Sequence, residues 1–92
     1  MATLIIPTPL RKFTNGNAMF EASATDVQGL LQALSNSHEG IQKHLFDDSG
    51  DLRSFIRVYV GDEDIYELEG TDTKIDDRDE VSIIPAIAGG SK

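Results

Sequence analysis

The chain has 92 residues, 39% of them hydrophobic and 26% charged, with 16 acidic against 8 basic residues and a formal net charge of -8. A chain this short buries only about two-thirds of its unfolded surface, so one domain with one core is expected and a deep catalytic cleft is not. It has no cysteine, which excludes disulfides, thiolate zinc sites, cysteine catalysis and a side-chain persulfide.

The N-terminus, Met1 to Pro7, lacks the basic start and long apolar stretch of a signal peptide. No apolar run approaches the roughly 20 residues of a membrane span. A soluble, cytoplasmic protein is therefore expected. Its negative charge disfavours nucleic acid and anionic membranes, and suits a basic partner surface.

Leu4-Ile5-Ile6 reads as a short strand closed by Pro7. Thr14-Asn15-Gly16-Asn17 signals a turn, and Ala18 to Ala22 a second strand, making an N-terminal hairpin. Thr25 and Gln28 have the spacing of a capping box, with Asp26 at the positive helix start. Val27, Leu30, Leu31 and Leu34 then fall at i, i+3, i+4 and i+7, the apolar stripe of a helix. Ser35-Asn36-Ser37 weakens it, and Ile41 to Phe46 suggests one further helical turn.

Asp47-Asp48-Ser49-Gly50-Asp51 reads as a solvated loop, because it lacks the ligand spacing and distal Glu of a calcium loop. Ser54 to Val60 is the strongest strand. Alternation puts Ile56, Val58 and Val60 on one face and Phe55, Arg57 and Tyr59 on the other. Ile65 to Leu68 reads as a short strand, and Val81 to Ile84 as the last one, stopped by Pro85. Ten of the sixteen acids fall between residues 61 and 80.

One amphipathic helix among strands is best buried against one face of a sheet, which gives an α+β fold. The element order resembles that of ubiquitin-like β-grasp domains, and implies a mixed sheet of about five strands crossed by one main helix. In that fold the first and last strands pair in parallel at the centre. The apolar runs Leu4-Ile5-Ile6 and Ile83-Ile84 fit central strands. The globular domain is expected to span residues 1–85, and residues 86–92 to form a flexible tail.

Side-chain chemistry is sparse. His38 and His44 are the only histidines and lack a third ligand, so no metal is expected. No nucleophile elbow, phosphate-binding loop or dinucleotide fingerprint is present. The face carrying Phe55, Arg57 and Tyr59, with Ile84 beside it, has the residue types of a docking surface. An ordinary outer sheet face explains the same pattern. Gly89-Gly90 can pass through a narrow channel that larger residues would block, and an α-carboxylate at Gly90 would be reachable from every side.

In context the tail is specific. The segment from Asp79 to Gly90, ending Pro85-Ala86-Ile87-Ala88-Gly89-Gly90, resembles the C-terminal signature of the MoaD/ThiS sulfur-carrier family. Val58 to Ile65 resembles its middle hairpin, and the resemblance reaches its longer, CysO-type branch, which serves cysteine biosynthesis. It implies a protein that is not itself an enzyme and holds no cofactor. A ubiquitin-activating-like adenylating enzyme would activate Gly90 with ATP, and conversion to a thiocarboxylate would follow. Gly89 and Ala88 would thread the partner's channel. A sulfur-accepting synthase, cysteine-synthase-like or the large subunit of molybdopterin synthase, would take the sulfur.

Ser91-Lys92 departs from the pattern, because an amide at Gly90 leaves no carboxylate to adenylate. Removal of the dipeptide at the Gly90–Ser91 bond, for example by a JAMM-type metalloprotease, is expected. An added dipeptide or an inactive chain would also account for it. The rival functions are the small subunit of molybdopterin synthase and a ubiquitin-like modifier or interaction domain.

Overall fold

β1, Ala2–Ile5, begins the sheet and points Ala2 and Leu4 into the core, where neither is exposed. The structure, a computed structural model, describes residues 1–85. The ladder continues one step past β1, the Ile6 N–H donating to the Ala18 carbonyl at 2.8 Å. Pro7 then ends it, and the connection is not a bare turn. Thr8–Phe13 forms a 3-10 helix that folds Leu10 inward. The turn signal at Thr14-Asn15-Gly16-Asn17 holds. Asn15 and Gly16 adopt φ of 58° and 84°, the left-handed region that Asn and Gly tolerate best. β2, Met19–Ala22, pairs antiparallel with β1, Leu4 opposite Phe20.

The main helix, α1, spans Val27–Ser37. Its cap is Asp26, not Thr25: an Asp26 side-chain oxygen accepts from the Gly29 N–H at 2.7 Å. The reason is tertiary. The Thr25 carbonyl accepts from the Ile75 N–H at 3.0 Å, and the Val27 N–H donates to the Thr73 carbonyl at 3.0 Å. Thr25 is thereby held in extended pairing, and the helix starts one residue later. Val27, Leu30, Leu31 and Leu34 are all fully buried, as their spacing demands. After His38 a 3-10 turn, Glu39–Ile41, leads into α2, Gln42–Leu45, which buries Ile41, Leu45 and Phe46.

β3 spans Ile56–Val60, shorter than expected. Ser54 and Phe55 form a turn in which the Ile56 N–H donates to the Arg53 carbonyl at 2.9 Å. β4 is the two-residue strand Glu63–Asp64, and Ile65–Glu67 is a 3-10 turn rather than the expected strand. An Asp64 side-chain oxygen accepts from the Tyr66 N–H at 2.9 Å, which turns the chain and drops Ile65 into the core. β5, Glu80–Pro85, includes Pro85 as its last residue, opposite Ile56.

The sheet order is β2-β1-β5-β3-β4. β5 is central, parallel to β1 (Leu4 opposite Val81) and antiparallel to β3 (Val58 opposite Ile83). This is the five-stranded mixed sheet of a ubiquitin-like β-grasp domain. α1 crosses one face, and its leucines share a core with Leu4, Ile56, Val58, Val81 and Ile83, with half-buried Val60 packed against it. Val81 and Ile83, the buried residues of β5, both belong to this core. Replacing Leu31 by Ala should cost about 2–5 kcal/mol, the range for a fully buried leucine. Urea denaturation would check this, and a loss below about 1 kcal/mol would show that the helix is not seated on the sheet.

Candidate functional site

The strand that carries the tail is the best-anchored one in the fold. β5 hydrogen-bonds to neighbours on both sides and ends at Pro85 beside the first residue of β3. The tail residues Ala88, Gly89, Gly90 and Ser91 lie outside the described residues.

The outer face next to that exit is built by strand alternation. On β3, Ile56 and Val58 point inward while Arg57 points out and Tyr59 is half-buried. On β5, Val81 and Ile83 point inward, and Ile84 stands outward at 47% exposure. The register sets Ile84 directly opposite Arg57 and Ser82 opposite Tyr59. Phe55 belongs to the preceding turn rather than to the strand, and is 42% exposed. Of the four expected docking residues, Arg57 and Ile84 share a rung one step before the end of β5, Tyr59 lies two rungs further back, and Phe55 sits in the turn before β3.

Two further residues join them. The turn after β4 leaves Tyr66 55% exposed, with the Arg57 guanidinium 5.7 Å from its ring centroid. An Arg57 Nη1 donates to Asp64 Oδ2 at 3.0 Å. Reading 65–68 as a strand hides this, because it puts Tyr66 in a ladder. The usable signal was Asp64 two residues before Tyr66, the spacing of an Asx turn.

The other candidates resolve into structural roles. His44 stacks on Phe13 with ring centroids 4.4 Å apart, and His38 meets Phe20 edge-on at 6.1 Å. No group of three or more metal-ligating side chains occurs among the described residues. Asp47 Oδ1 accepts from the N–H groups of Ser49 and Asp51, at 2.9 and 3.1 Å, so the 47–51 loop consumes its own carboxylate. A surface depression of about 420 Å³ is lined by Lys43, Phe46, Asp47 and Arg53 among others, and shares no residue with the outer face. No helix among the described residues is long and apolar enough to cross a membrane.

Acids gather where β5 begins, at Asp76, Asp77, Asp79 and Glu80. Asp77 sits 3.6 Å from the N-terminal ammonium, and the Asp79 carbonyl accepts from Thr3, so the acids that open β5 lie at the end away from the tail. The bases Arg11 and Lys12 follow the far end of β1, where Arg11 Nε donates to the Ile6 carbonyl at 3.0 Å. Arg53 Nε donates to the Lys43 carbonyl at 2.7 Å, and these two bases share their depression with Glu39, Asp47 and Asp48.

The sequence model of the ThiS family matches residues 4–90, the whole fold together with Gly89-Gly90. The chain belongs to the ThiS family of ubiquitin-like sulfur carriers. It is 40% identical over 90 residues to the sulfur carrier protein CysO of Mycobacterium tuberculosis, a match covering 96% of this chain and 97% of that protein. The crystal structure of that CysO superposes with a TM-score of 0.86 at 37% identity, covering 95% of this chain and all of the other. A chain of the Amycolatopsis orientalis BexX/CysO complex gives a TM-score of 0.89 at 37% identity, covering 98% of this chain and all of that one. The small archaeal modifier protein 3 of Haloferax volcanii is 31% identical over 64 residues, covering 70% of this chain and 68% of that protein.

In this ThiS-family member the outer face is separate from the core, so it should tolerate charge reversal. Arg57→Glu removes the donor of Asp64, whose side chain keeps only 10% of its exposure, and sets a like charge beside it, so it should lower the melting temperature by several degrees while the domain still folds. Calorimetry checks this, and a collapse of the fold would mean that Arg57 is structural.

Proposed function

We propose that this chain carries sulfur for the biosynthesis of cysteine or a related sulfur amino acid, in the cytoplasm, through Gly90. The observation that carries this reading is a family match that runs unbroken through Gly90, joined to 40% identity with CysO over nearly the whole chain.

The chemistry follows from what a carboxylate lacks. It is a poor electrophile until one oxygen becomes part of a good leaving group. After Ser91-Lys92 are removed, by a JAMM-type metalloprotease in this reading, the Gly90 carboxylate attacks ATP on an adenylating partner and displaces pyrophosphate. Hydrosulfide then attacks the acyl carbon, forming the C–S bond as the C–O bond to AMP breaks, and loss of its proton leaves a thiocarboxylate. The chain supplies the carboxylate and the docking surface, and the partner supplies the ATP site. Phe55, Arg57, Tyr59 and Ile84 form that docking surface, close to the tail and clear of the core. A cysteine-synthase-like enzyme then accepts the sulfur.

The likeness to an archaeal modifier protein favours one second reading, attachment of Gly90 to lysines of other proteins. Both readings begin with adenylation and then diverge: intact mass from the native cell shows a gain of about 16 Da for a thiocarboxylate, whereas isopeptide adducts mark a modifier.

Pyrophosphate release tests the shared step. With the adenylating enzyme of its own cell, the full-length chain should be inert, the chain ending at Gly90 active, and its Gly90→Ala form strongly impaired, because a Cβ crowds a site shaped for glycine. Equal rates for the full-length and trimmed chains would overturn the processing step. A trimmed chain that is never activated would overturn the carrier reading. In the active trimmed chain, Arg57→Glu should slow activation while the domain stays folded, and unchanged kinetics would remove Arg57 from the docking surface.

A further inference from the structure

Between Ser54 and Gly70 the chain carries five acids, Asp62, Glu63, Asp64, Glu67 and Glu69, and a single base, Arg57. Four of these acids are exposed. Asp64 is different: its side chain keeps only 10% of its exposure, against 49% for Arg57. A carboxylate withdrawn from water must be satisfied by donors, and its two oxygens are shared out. Oδ1 accepts from the Tyr66 N–H at 2.9 Å, and Oδ2 accepts from Arg57 Nη1 at 3.0 Å. One carboxylate therefore sets both the turn that presents Tyr66 and the direction of the guanidinium beside it. The Tyr66 ring, 5.7 Å from that guanidinium, flanks it on one side, and Ile84, opposite Arg57 in the register, lies on the neighbouring strand.

We propose that Asp64 is a positioning residue for partner docking: it holds Arg57 and Tyr66 in the arrangement that the adenylating partner meets. This rests on the carrier reading above. An unheld Arg side chain has many rotamers, and ordering it at the moment of contact weakens binding. Asp64 orders it beforehand and takes only one of its donors, so the outer donors stay available to an acidic side chain of the partner. The other acids between Ser54 and Gly70 are exposed and carry charge of the opposite sign, which leaves Arg57 the single base of the segment to attract such a side chain. The fixed positive point therefore sets the register of docking as well as its strength.

A cap alone would not require an aspartate, because asparagine accepts from the Tyr66 N–H equally well. Asp64→Asn thus keeps the turn and removes the charge that steers Arg57. In pyrophosphate release by the chain ending at Gly90, this variant should raise the KM for the carrier about three- to five-fold, as expected for a partly exposed pair, and leave kcat unchanged. Arg57→Gln alters an exposed residue and no buried one. It should raise KM at least as much, and adding Asp64→Asn to it should change nothing further. An Asp64→Asn chain with wild-type KM overturns the proposal, as do effects of the two substitutions that simply multiply, or a loss in kcat alone. If the wild-type trimmed chain is not activated at all, the carrier reading falls and this proposal with it. Failure in the variants beside an active wild type overturns this proposal alone.

Discussion

Parallel pairing of the first strand with the last is the constraint on which the rest of this structure depends. A parallel pair cannot be closed by a tight turn, so everything between β1 and β5 must act as a long crossover. α1 provides the main span, and it must lie across the sheet because its stripe of Val27, Leu30, Leu31 and Leu34 has nowhere else to go. The remaining hairpin, β3 with β4, is left to cover the other side of β5. β5 becomes central as a result, and its last residue becomes the point from which the tail departs.

The same arrangement separates stability from recognition. On β3 and β5 alternate residues face opposite ways, so Ile56, Val58, Val81 and Ile83 fill the core while Arg57 and Ile84 are free to meet another surface. Nothing on the outer face needs to change for the core to be packed well. The one link between the two is Asp64, which ends β4, starts the turn that buries Ile65, and pairs with Arg57.

Much of this was legible in the residues. The helix stripe, the Asn15-Gly16 turn and the alternation along β3 are local patterns, and local physics decided them. The differences arose where distant pairing overrode a local preference. Thr25 has the right spacing for a cap, yet its backbone is engaged by Ile75, so Asp26 caps instead. Phe55 extends an apparent strand, yet the turn from Arg53 removes it from the ladder. Ile65 to Leu68 has strand-like composition, yet the Asp64 carboxylate turns the backbone there. The 3-10 helix after Pro7 was hidden because its one apolar pair, Leu10 and Phe13, is too short a repeat to show a period. The tail was read from its motif alone, and the family model extends through residue 90.

The placement of β5 also has a mechanical meaning. A partner that draws the tail into a channel pulls on the end of a strand hydrogen-bonded along both edges, to β1 and to β3. Those bonds lie across the direction of pull. They are loaded together, in shear, rather than opened one after another as they would be if an edge strand were peeled away. A pull on the end of β5 is therefore resisted by both neighbouring strands at once, and the domain keeps its shape under such a load.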